Sequence, residues 1–301
     1  MISRSVFRAL LPLLLAIQAT TMGMWGVAVV AAAAIACGPP TPSPAAATAE
    51  ASPAVSSDAR FPYEGGRLTV FAAASLSDAF NQIASDLQEA HPNLTITFQT
   101  AGSQSLVTQL QEGAQADVLA TANTSTMQTA VDSGLIEGAP VPFTGNRLVI
   151  VTPKDNPAGI TSLDDLGKDG VKLVVAGPDV PAGKYAVNAI CAHETNGVSG
   201  FADAVGANIV SEETDVRSVL AKVQLGEADA GIVYASDAVA SALAGNALNV
   251  VDFPASVPTT ASYPIAALAG GNTELARAFI AYILSPEGQQ VLVNYGFEPA
   301  G

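Results

Sequence analysis

Four short stretches of the chain bring a serine hydroxyl or a free backbone N–H group to the point where a predicted strand runs into a predicted helix. These strand-to-helix joints lie at Ser75, Ser103, Ala182 and Val216. The first turn of a helix has unpaired N–H groups and a partial positive charge, and both favour an anion. Taken singly, each joint is better explained as an ordinary helix cap. Their recurrence predicts instead an anion-binding site built from neutral hydrogen-bond donors.

The joint at Ser75 shows this pattern most clearly. Residues 68–71 favour a β-strand, and the apolar residues between positions 76 and 87 recur at the spacing of one buried helical face. A serine at the start of that helix adds a hydroxyl donor to the free N–H groups. The alternative, in which Ser75 or Ser77 only caps its own helix, stays open at this point.

The joints at Ala182 and Val216 would act through the backbone, because neither side chain carries a polar atom. Pro181 fixes the chain just before a predicted helix and leaves the N–H of Ala182 free to point outward. Thr214 is predicted to be the N-cap of the next helix, with Asp215 in its first turn, which leaves the N–H of Val216 near the helix mouth.

Strand and helix patterns alternate along most of the chain, which favours parallel sheets. A first run of alternation ends at the turn-rich segment 137–146, and a second run follows a longer strand at 147–152. Two sheets of similar size joined by extended segments indicate two lobes with a ligand cleft between them. We therefore predict an α/β fold of two lobes, each a mostly parallel sheet flanked by helices, with the joints facing one another across the cleft.

Composition and charge limit the class of protein. The chain has 301 residues, of which 49% are hydrophobic, so it can bury a sizeable core. Its formal net charge is −15 at pH 7. This acidic balance argues against nucleic acid and against an anionic membrane surface as partners.

The N-terminal stretch is typical of a secretory signal. Arg4 and Arg8 precede a long apolar run from residue 9 to residue 36. The run ends in AIAC at residues 34–37, which resembles the lipobox of bacterial lipoproteins and implies a lipidated Cys37 as the new N-terminus. Because the run is long, an uncleaved membrane helix is the alternative. Either arrangement places the rest of the chain outside the cytoplasm.

The segment after the signal predicts a disordered tether. Residues 38–60 are rich in Pro, Ala, Ser and Thr and show no apolar periodicity. The chain has two cysteines, and a lipidated Cys37 would leave Cys191 without a partner, so we expect no disulfide. Cys191 is then interpreted as a small core residue. The two histidines, His91 and His193, lack the clustered ligands that a metal cation needs.

Several short motifs occur in the same order as in a known family. Together they resemble the periplasmic molybdate-binding proteins of ABC importers, and the resemblance covers about residues 67–297. The motifs are TVFAAASL (69–76), AGSQSL (101–106), ADVLATA (116–122), VPAGKYA (180–186), ETDVR (213–217), GIVYASDA (231–238) and YGF (295–297).

The resemblance implies a type II periplasmic binding protein that holds a tetrahedral oxyanion through serine hydroxyls, backbone N–H groups and one tyrosine hydroxyl. Carried onto this chain, those groups belong to Ser75, Ser103, Ala182, Val216 and Tyr234. The ligand would be molybdate or tungstate, with no cofactor and no metal bound as a cation. The implied partner is the ABC permease of the inner membrane, and we expect a monomer.

The implied chemistry is consistent with the residue types. A dianion needs donors and no acceptors, and each hydrogen bond to a charged acceptor is worth roughly 1.5–3 kcal/mol, so neutral donors suffice. Helix-end dipoles act locally, whereas water and salt screen the distant acidic residues. We expect Arg217 to pair with Asp215 or Glu213 rather than to balance the ligand charge.

Two other functions are alternatives to molybdate binding. A binding protein for another oxyanion such as sulfate would use the same fold and differ mainly in the size of the site, whereas protonated phosphate would need an acceptor. A serine hydrolase would need a base beside Ser75, and the chain has no G-x-S-x-G motif around that serine.

These arguments give a division of the chain into five parts. We predict a signal peptide at 1–36, a lipidated cysteine with its tether at 37–65, the first part of lobe 1 at 66–147, lobe 2 at 148–259, and the return of the chain to lobe 1 at 260–301.

Overall fold

The structure is a computed structural model. It describes Ile35 and residues 37–38, 61–62 and 65–299. Nearly all of the predicted signal peptide and tether therefore lies outside the described residues. Within the described part of the chain, no helix is both long enough and apolar enough to cross a membrane.

Ten strands and nine α-helices make up the described part of the chain. The strands are β1 (Gly66–Ala73), β2 (Leu94–Ala101), β3 (Val118–Ala120), β4 (Ile136–Thr152), β5 (Leu173–Ala176), β6 (Ile209–Glu213), β7 (Ala230–Tyr234), β8 (Asn249–Asp252), β9 (Thr260–Leu268) and β10 (Glu298–Pro299). The helices are α1 (Ser77–Ala90), α2 (Ser103–Gln111), α3 (Thr124–Asp132), α4 (Pro181–Thr195), α5 (Phe201–Asn208), α6 (Val216–Gln224), α7 (Ala235–Leu243), α8 (Thr273–Leu284) and α9 (Pro286–Asn294). Short 3-10 turns occupy Ala74–Leu76 and Leu163–Gly167.

Strand β4 belongs to two groups of strands. Up to Arg147 it pairs with β9, and from Leu148 onward it pairs with β7 and β8. On the β9 side, which we call lobe 1, the strand order is β2-β1-β3-β9-β4; on the other side, which we call lobe 2, it is β6-β5-β7-β4. Lobe 1 carries α1–α3, α8 and α9, and lobe 2 carries α4–α7.

The two lobes repeat one arrangement. In lobe 1, β1 is parallel to β2 and β3, and in lobe 2, β5 is parallel to β6 and β7, while β4 and β9 run antiparallel to their neighbours. The carboxyl ends of parallel strands meet at one edge of a sheet, and ligands bind at that edge. The joints after β1 and β2 therefore lie together in lobe 1, and those after β5, β6 and β7 lie together in lobe 2.

The core follows from the strand sequences. Strands that are covered on both faces are continuous apolar runs, whether they pair in parallel or antiparallel. Residues 148–151 of β4 are completely buried, and every residue of β5 and β7 is buried. In lobe 1 the ring of Phe80 on α1 meets the ring of Phe279 on α8 edge to face, with centroids 5.7 Å apart. Such buried aromatic pairs fix how the helices sit on the sheet.

The predicted two-lobed α/β fold is confirmed, with one notable difference in the elements. Segment 137–146 was predicted to be turn-rich, but it forms the first half of β4. Its pairing with β9 shifts register between Glu137 and Val141 and again between Pro142 and Thr144. The prolines in this half sit at these irregularities because a proline has no N–H to give to a regular ladder. Helices α5 and α7 and strand β8 were not predicted.

The expectation of no disulfide is wrong in this structure. Cys37 and Cys191 are joined by a disulfide, with their Cα atoms 5.4 Å apart although 154 positions separate them in sequence. Ile35 lines an apolar groove beside α4 together with Ile190, which brings the N-terminal segment to Cys191. Sequence spacing gave no sign of this approach. One sulfur cannot carry both a lipid thioether and a disulfide, so lipidation of Cys37 stays a prediction.

Candidate functional site

A small cavity lies between the lobes and is partly open to solvent; its empty space, including that open part, is about 210 Å³. The structure brings all the sequence-predicted ligand residues to this one cavity. Ser75 and Ser103 come from lobe 1, and Ala182, Val216 and Tyr234 come from lobe 2. The remaining lining residues are Ala73, Ala74, Ala101, Gly102, Ala122, Val180, Pro181 and Asp215.

Ser75 lies in the 3-10 turn that joins β1 to α1. Its side chain is buried, and its Oγ lies 2.9 Å from the Oη of Tyr263 on β9. The turn sits at the carboxyl end of β1, so the serine faces the gap between the lobes rather than the solvent. The hydroxyl is therefore held in place by a second buried hydroxyl.

Ser103 is the first residue of α2, directly after the N-cap Gly102. Its Oγ accepts a hydrogen bond from the backbone N–H of Ala122 at 3.0 Å. A serine hydroxyl has one proton and two acceptor positions. Because one acceptor position is used by the Ala122 N–H, the proton of Ser103 remains available for a group in the cavity.

Helix α4 supplies a backbone donor from lobe 2. Pro181 is its first residue and has no N–H, so the first N–H at the helix mouth belongs to Ala182. The helix starts very close to the end of β5: a Cβ at Gly183 would lie 2.0 Å from the carbonyl oxygen of Gly177. Glycine at position 183 is thus required to bring this N–H to the cavity.

Helix α6 supplies a second backbone donor. Val216 is its first residue, so the Val216 N–H has no intrahelical partner. The N-cap is Asp215, not Thr214 as predicted: its carboxylate accepts from the N–H and the Oγ of Ser218, both at 3.0 Å. The negative charge of Asp215 is therefore bound to the start of its own helix, although the residue lines the cavity.

Tyr234 ends β7 and contributes a buried hydroxyl. Only 1% of the residue is exposed, and its Oη has no hydrogen-bond partner among the residues that the structure describes. Burial, followed by the nearby Tyr263 and Tyr185, raises the pKa of Tyr234 well above its ordinary value, so the hydroxyl keeps its proton. A buried polar group without a partner is costly. A ligand acceptor in the cavity would satisfy this donor.

Arg217 connects the two lobes beside the cavity. Its guanidinium pairs with Asp78 on α1 of lobe 1 and lies 3.1 Å from the carboxylate of Asp237 on α7 of lobe 2. Neither predicted partner, Asp215 or Glu213, is involved. Glu213 instead binds Lys222 at 2.6 Å, and Asp215 caps α6. The actual partners could not be predicted from the sequence, because α7 was not predicted and Asp78 is 139 positions away from Arg217.

Asp237 is a completely buried carboxylate next to the site. Burial raises its pKa from 3.8 to about 6, and the neighbouring Arg217 and the N–H of Tyr234 limit that rise. The Tyr234 N–H donates to its carboxylate at 3.1 Å. The carboxylate thus fixes the end of β7, which carries the Tyr234 hydroxyl.

Three further polar residues behind Ser75 were missed by the sequence reasoning. Asn146 on β4 donates through Nδ2 to Ser236 at 2.8 Å and to Tyr263 at 3.3 Å, and all three side chains are buried. Asn146 lies in the segment that was predicted to be turn-rich, and Tyr263 was treated only as a strand residue. Burial alternates at the start of β9, where Ser262 is exposed and Tyr263 is buried. This alternation is the sequence signal that could have identified Tyr263 as an inward-facing residue.

The lining favours an anion over a cation or a covalent reaction. Among the described residues, no group of three or more His, Cys, Asp or Glu side chains is placed to hold a metal ion. No histidine is among the residues found to line the cavity, so Ser75 and Ser103 have no imidazole base there. What the cavity offers is a set of hydroxyl and backbone donors from two lobes.

Two α/β lobes that share such a donor-lined cavity define the class of two-lobed solute-binding proteins. Residues 68–298 match the family of bacterial extracellular solute-binding proteins, and the chain belongs to this family. It is 39% identical over 240 residues to the molybdate-binding protein ModA of Mycobacterium tuberculosis (strain H37Rv), covering 78% of this chain and 86% of that protein. It is 35% identical over 243 residues to ModA of Escherichia coli K12, covering 77% and 89%.

A solved structure has the same fold. The periplasmic molybdate-binding protein of Azotobacter vinelandii superposes with a TM-score of 0.67 at 17% identity, covering 78% of this chain and all of that one. The family resemblance that the sequence motifs indicated is confirmed. The chain is a solute-binding protein that acts outside the cytoplasm, and it is not an enzyme, as the sequence predicted.

Proposed function

We propose that this protein captures molybdate, or the isosteric tungstate, in the cavity between its lobes and delivers it to an ABC importer, without any cofactor. The observation that carries the proposal is the convergence of Ser75, Ser103, Ala182, Val216 and Tyr234 on one cavity. Each of these groups donates a hydrogen bond, and a tetrahedral dianion is an acceptor on every side. Relatives named for molybdate binding support the choice of anion.

The charge balance of the site suits a neutral set of donors. Two of the donors lie at helix starts, where the partial positive charge of the backbone adds to the hydrogen bonds. The nearest carboxylates, Asp215 and Asp237, are engaged by α6 and by Arg217. A protonated phosphate would need an acceptor, which the proposed donors do not provide. The site could distinguish sulfate from molybdate only by the size of the anion.

Calorimetric titration of the purified protein with molybdate, tungstate, sulfate and phosphate tests the proposal. We expect molybdate and tungstate to bind at least about tenfold more tightly than sulfate, which corresponds to about 1.4 kcal/mol. We expect phosphate to bind more weakly than sulfate. Equal affinities for molybdate and sulfate would reduce the proposal to an unspecified oxyanion, and failure of all four anions to bind would overturn it.

We also propose that the lobes close on the anion. The suggested lobe boundaries, 66–147 and 260–301 for lobe 1 and 148–259 for lobe 2, are supported by the change of partner along β4 at Arg147 and Leu148. Donors from both lobes can surround one small ion only when the cleft is shut, and a closed form differs in shape from an open one. The importer would recognise that shape, with the binding protein acting as a monomer.

The proposed anchor is a lipid on Cys37. It is supported by the AIAC tetrapeptide at residues 34–37 and by the apolar run before it. The anchor requires a chain in which Cys37 is not bonded to Cys191. Release of a Cys37→Ser variant from the membrane fraction would support the lipid, and continued retention would favour an uncleaved membrane helix.

A further inference from the structure

A chain of buried hydrogen bonds runs from β4 to the cavity. The Nδ2 of Asn146 lies 3.3 Å from the Oη of Tyr263, and that Oη lies 2.9 Å from the Oγ of Ser75, which lines the cavity. Asn146 and Tyr263 are completely buried, and Ser75 is 3% exposed. The first two residues do not line the cavity, so they act on a ligand through residues that do: Tyr263 contacts Ser75 and also packs edge to face against Tyr234, with ring centroids 5.7 Å apart.

Asn146 sets the donor-to-acceptor direction of this series of hydrogen bonds. The side-chain Oδ1 accepts the backbone N–H of Arg147 at 2.9 Å, which identifies the oxygen end of the amide. The Nδ2 end then faces both Ser236 at 2.8 Å and Tyr263, and an amide nitrogen can only donate. Asn146 is therefore a fixed donor toward the oxygen of Tyr263.

The donor-to-acceptor direction of these hydrogen bonds continues through Tyr263. Its oxygen accepts from Asn146, and its single proton is free to be donated to the Oγ of Ser75, 2.9 Å away. Burial raises the pKa of Tyr263 far above its ordinary value, so the phenol retains that proton at every physiological pH. With an acceptor position of Ser75 occupied in this way, the proton of Ser75 is left for the cavity.

We propose that Tyr263 and Asn146 are positioning residues that hold the Ser75 hydroxyl as a donor, so that the site accepts fully deprotonated oxyanions and rejects protonated ones. This inference rests on the proposed function and deepens it. A serine hydroxyl that could rotate would offer either a proton or a lone pair. The Asn146–Tyr263–Ser75 relay fills one of the two acceptor positions of the Ser75 oxygen, so the hydroxyl is biased toward donating to the cavity and against accepting a proton from a ligand.

The first test is a double-mutant cycle between Tyr263→Phe and Ser75→Ala, read by molybdate titration. In the wild-type background, Ser75→Ala should weaken binding by roughly ten- to a hundredfold, the usual cost of a hydrogen bond to a charged group. Tyr263→Phe alone should weaken it about tenfold. In the Tyr263→Phe background, Ser75→Ala should cost only about threefold, because the serine no longer has a fixed direction.

A matched control separates this role from simple structural support. Thr144 lies on the same strand as Asn146 and opposite Tyr263 in the ladder, is 2% exposed, and donates to the backbone of Glu298 at 2.7 Å rather than to a residue of the relay. Thr144→Val should lower the melting temperature without changing molybdate affinity or the cost of Ser75→Ala. If Tyr263→Phe behaves like Thr144→Val, the proposal is overturned.

The second test changes selectivity. In Asn146→Leu the Tyr263 oxygen loses its fixed donor, so Ser75 can donate to Tyr263 and turn a lone pair toward the cavity. The ratio of phosphate affinity to molybdate affinity should then rise by about tenfold or more relative to wild type. If Asn146→Leu only loosens the fold, the binding of both anions should weaken equally and the ratio should stay unchanged. That result would overturn the proposed relay. If Tyr263→Phe does not fold, the affinity ratio measured for Asn146→Leu tests the proposal by itself.

Wild-type titration keeps the two proposals apart. If the wild-type protein binds sulfate but not molybdate, the proposed function fails, and both tests are run with sulfate in place of molybdate. If the wild-type protein binds molybdate but the cycle shows independent effects and the ratio is unchanged, the relay fails while the proposed function stands.

Discussion

Gly102 of lobe 1 lies against the carbonyl oxygen of Thr214 in lobe 2, so closely that a Cβ at position 102 would come within 2.4 Å of that oxygen. The Nε2 of Gln104 donates to the same carbonyl at 3.0 Å. Both contacts cross from the start of α2 to the residues just before α6. They bring the N–H end of α6 over the cavity, so the absence of a side chain at position 102 is part of how the lobes meet.

Replacing Gly102 by alanine should therefore hinder closure. The backbone at this position has φ −57° and ψ 134°, which alanine adopts without strain, so the unliganded protein should keep its stability. Molybdate affinity should fall by about tenfold or more, since a contact of 2.4 Å cannot persist in the closed form. Titration measures the affinity, and solution scattering measures whether ligand still reduces the radius of gyration.

Gly177 provides the control for this substitution. A Cβ there would lie 3.6 Å from its nearest neighbour, an ordinary contact. Gly177→Ala should leave both affinity and the ligand-induced contraction unchanged. If Gly102→Ala also contracts and binds like wild type, the contact with Thr214 does not limit closure.

The ion pair between Arg217 and Asp78 should strengthen ligand binding by a modest amount. It joins α6 of lobe 2 to α1 of lobe 1, so it forms fully only when the lobes meet. Because the Asp78 side chain is 46% exposed, the pair is screened, and Asp78→Asn should weaken molybdate binding by only about two- to fivefold at low salt.

High salt should reduce the effect of Asp78→Asn further. Asp86→Asn is the matched control, because Asp86 lies on the same helix and bonds only to Gln82 there. A loss of affinity that does not depend on salt, or an equal loss in both variants, would show that the pair does not act through closure.

Local patterns predicted much of this molecule because the proposed ligand groups lie at the boundaries of strands and helices. A strand that ends in a serine and a proline that opens a helix are visible in the chain itself, and these signals placed Ser75 and Ala182 correctly on the cavity wall. The support behind them is not local. Tyr263 follows Ser75 by 188 positions, and Asp237 meets Arg217 only because α7 packs beside α6. Such contacts depend on the order of the strands in the sheet, so they do not appear as a periodic pattern in the sequence.

Tyr234→Phe should separate binding from stability. The Tyr234 hydroxyl is buried and has no partner among the described residues, so its removal should leave the unliganded protein as stable as wild type or slightly more stable. Molybdate affinity should fall by roughly ten- to a hundredfold, the usual cost of a hydrogen bond to a charged acceptor. Thermal denaturation with and without molybdate measures both quantities.

Tyr282→Phe is the control for the tyrosine substitution, since Tyr282 lies on α8, away from the cavity. It should change neither the affinity nor the shift in melting temperature that molybdate causes. A stability loss in Tyr234→Phe with unchanged affinity would assign the Tyr234 hydroxyl a structural role.

Asp237 should make the stability depend on pH in an unusual direction. Its carboxyl releases a proton near pH 3.8 when unfolded and near pH 6 when folded. Between these values the unfolded chain holds fewer protons, so the free energy of unfolding contributed by this group falls as pH rises. A difference of about two pH units corresponds to about 3 kcal/mol, all of it lost above about pH 6.

The Asp237→Asn variant isolates this effect, because asparagine does not titrate. Urea denaturation at pH 4 and pH 7 should show that wild type loses stability relative to the variant as pH rises. Asp165, whose pKa is lowered chiefly by its hydrogen bond to Lys168, acts in the opposite direction but is present in both proteins and cancels. A difference between the two proteins that stays constant from pH 4 to pH 7 would contradict the raised pKa of Asp237.

The reactivity of the Cys191 thiol should show whether Cys37 carries a lipid or forms the disulfide. The disulfide closes a loop of 154 positions, and in the chain-entropy account such a loop stabilises the folded state by about 5 kcal/mol. Protein made without lipidation under oxidising conditions should therefore lose about that much stability in Cys191→Ala. In the membrane-anchored protein, a lipid on Cys37 would leave the Cys191 thiol free, so it should react with a maleimide before any reduction. Membrane-extracted protein in which Cys191 reacts only after reduction would instead establish the disulfide and overturn the lipid anchor, because the sulfur of Cys37 can form only one of the two bonds.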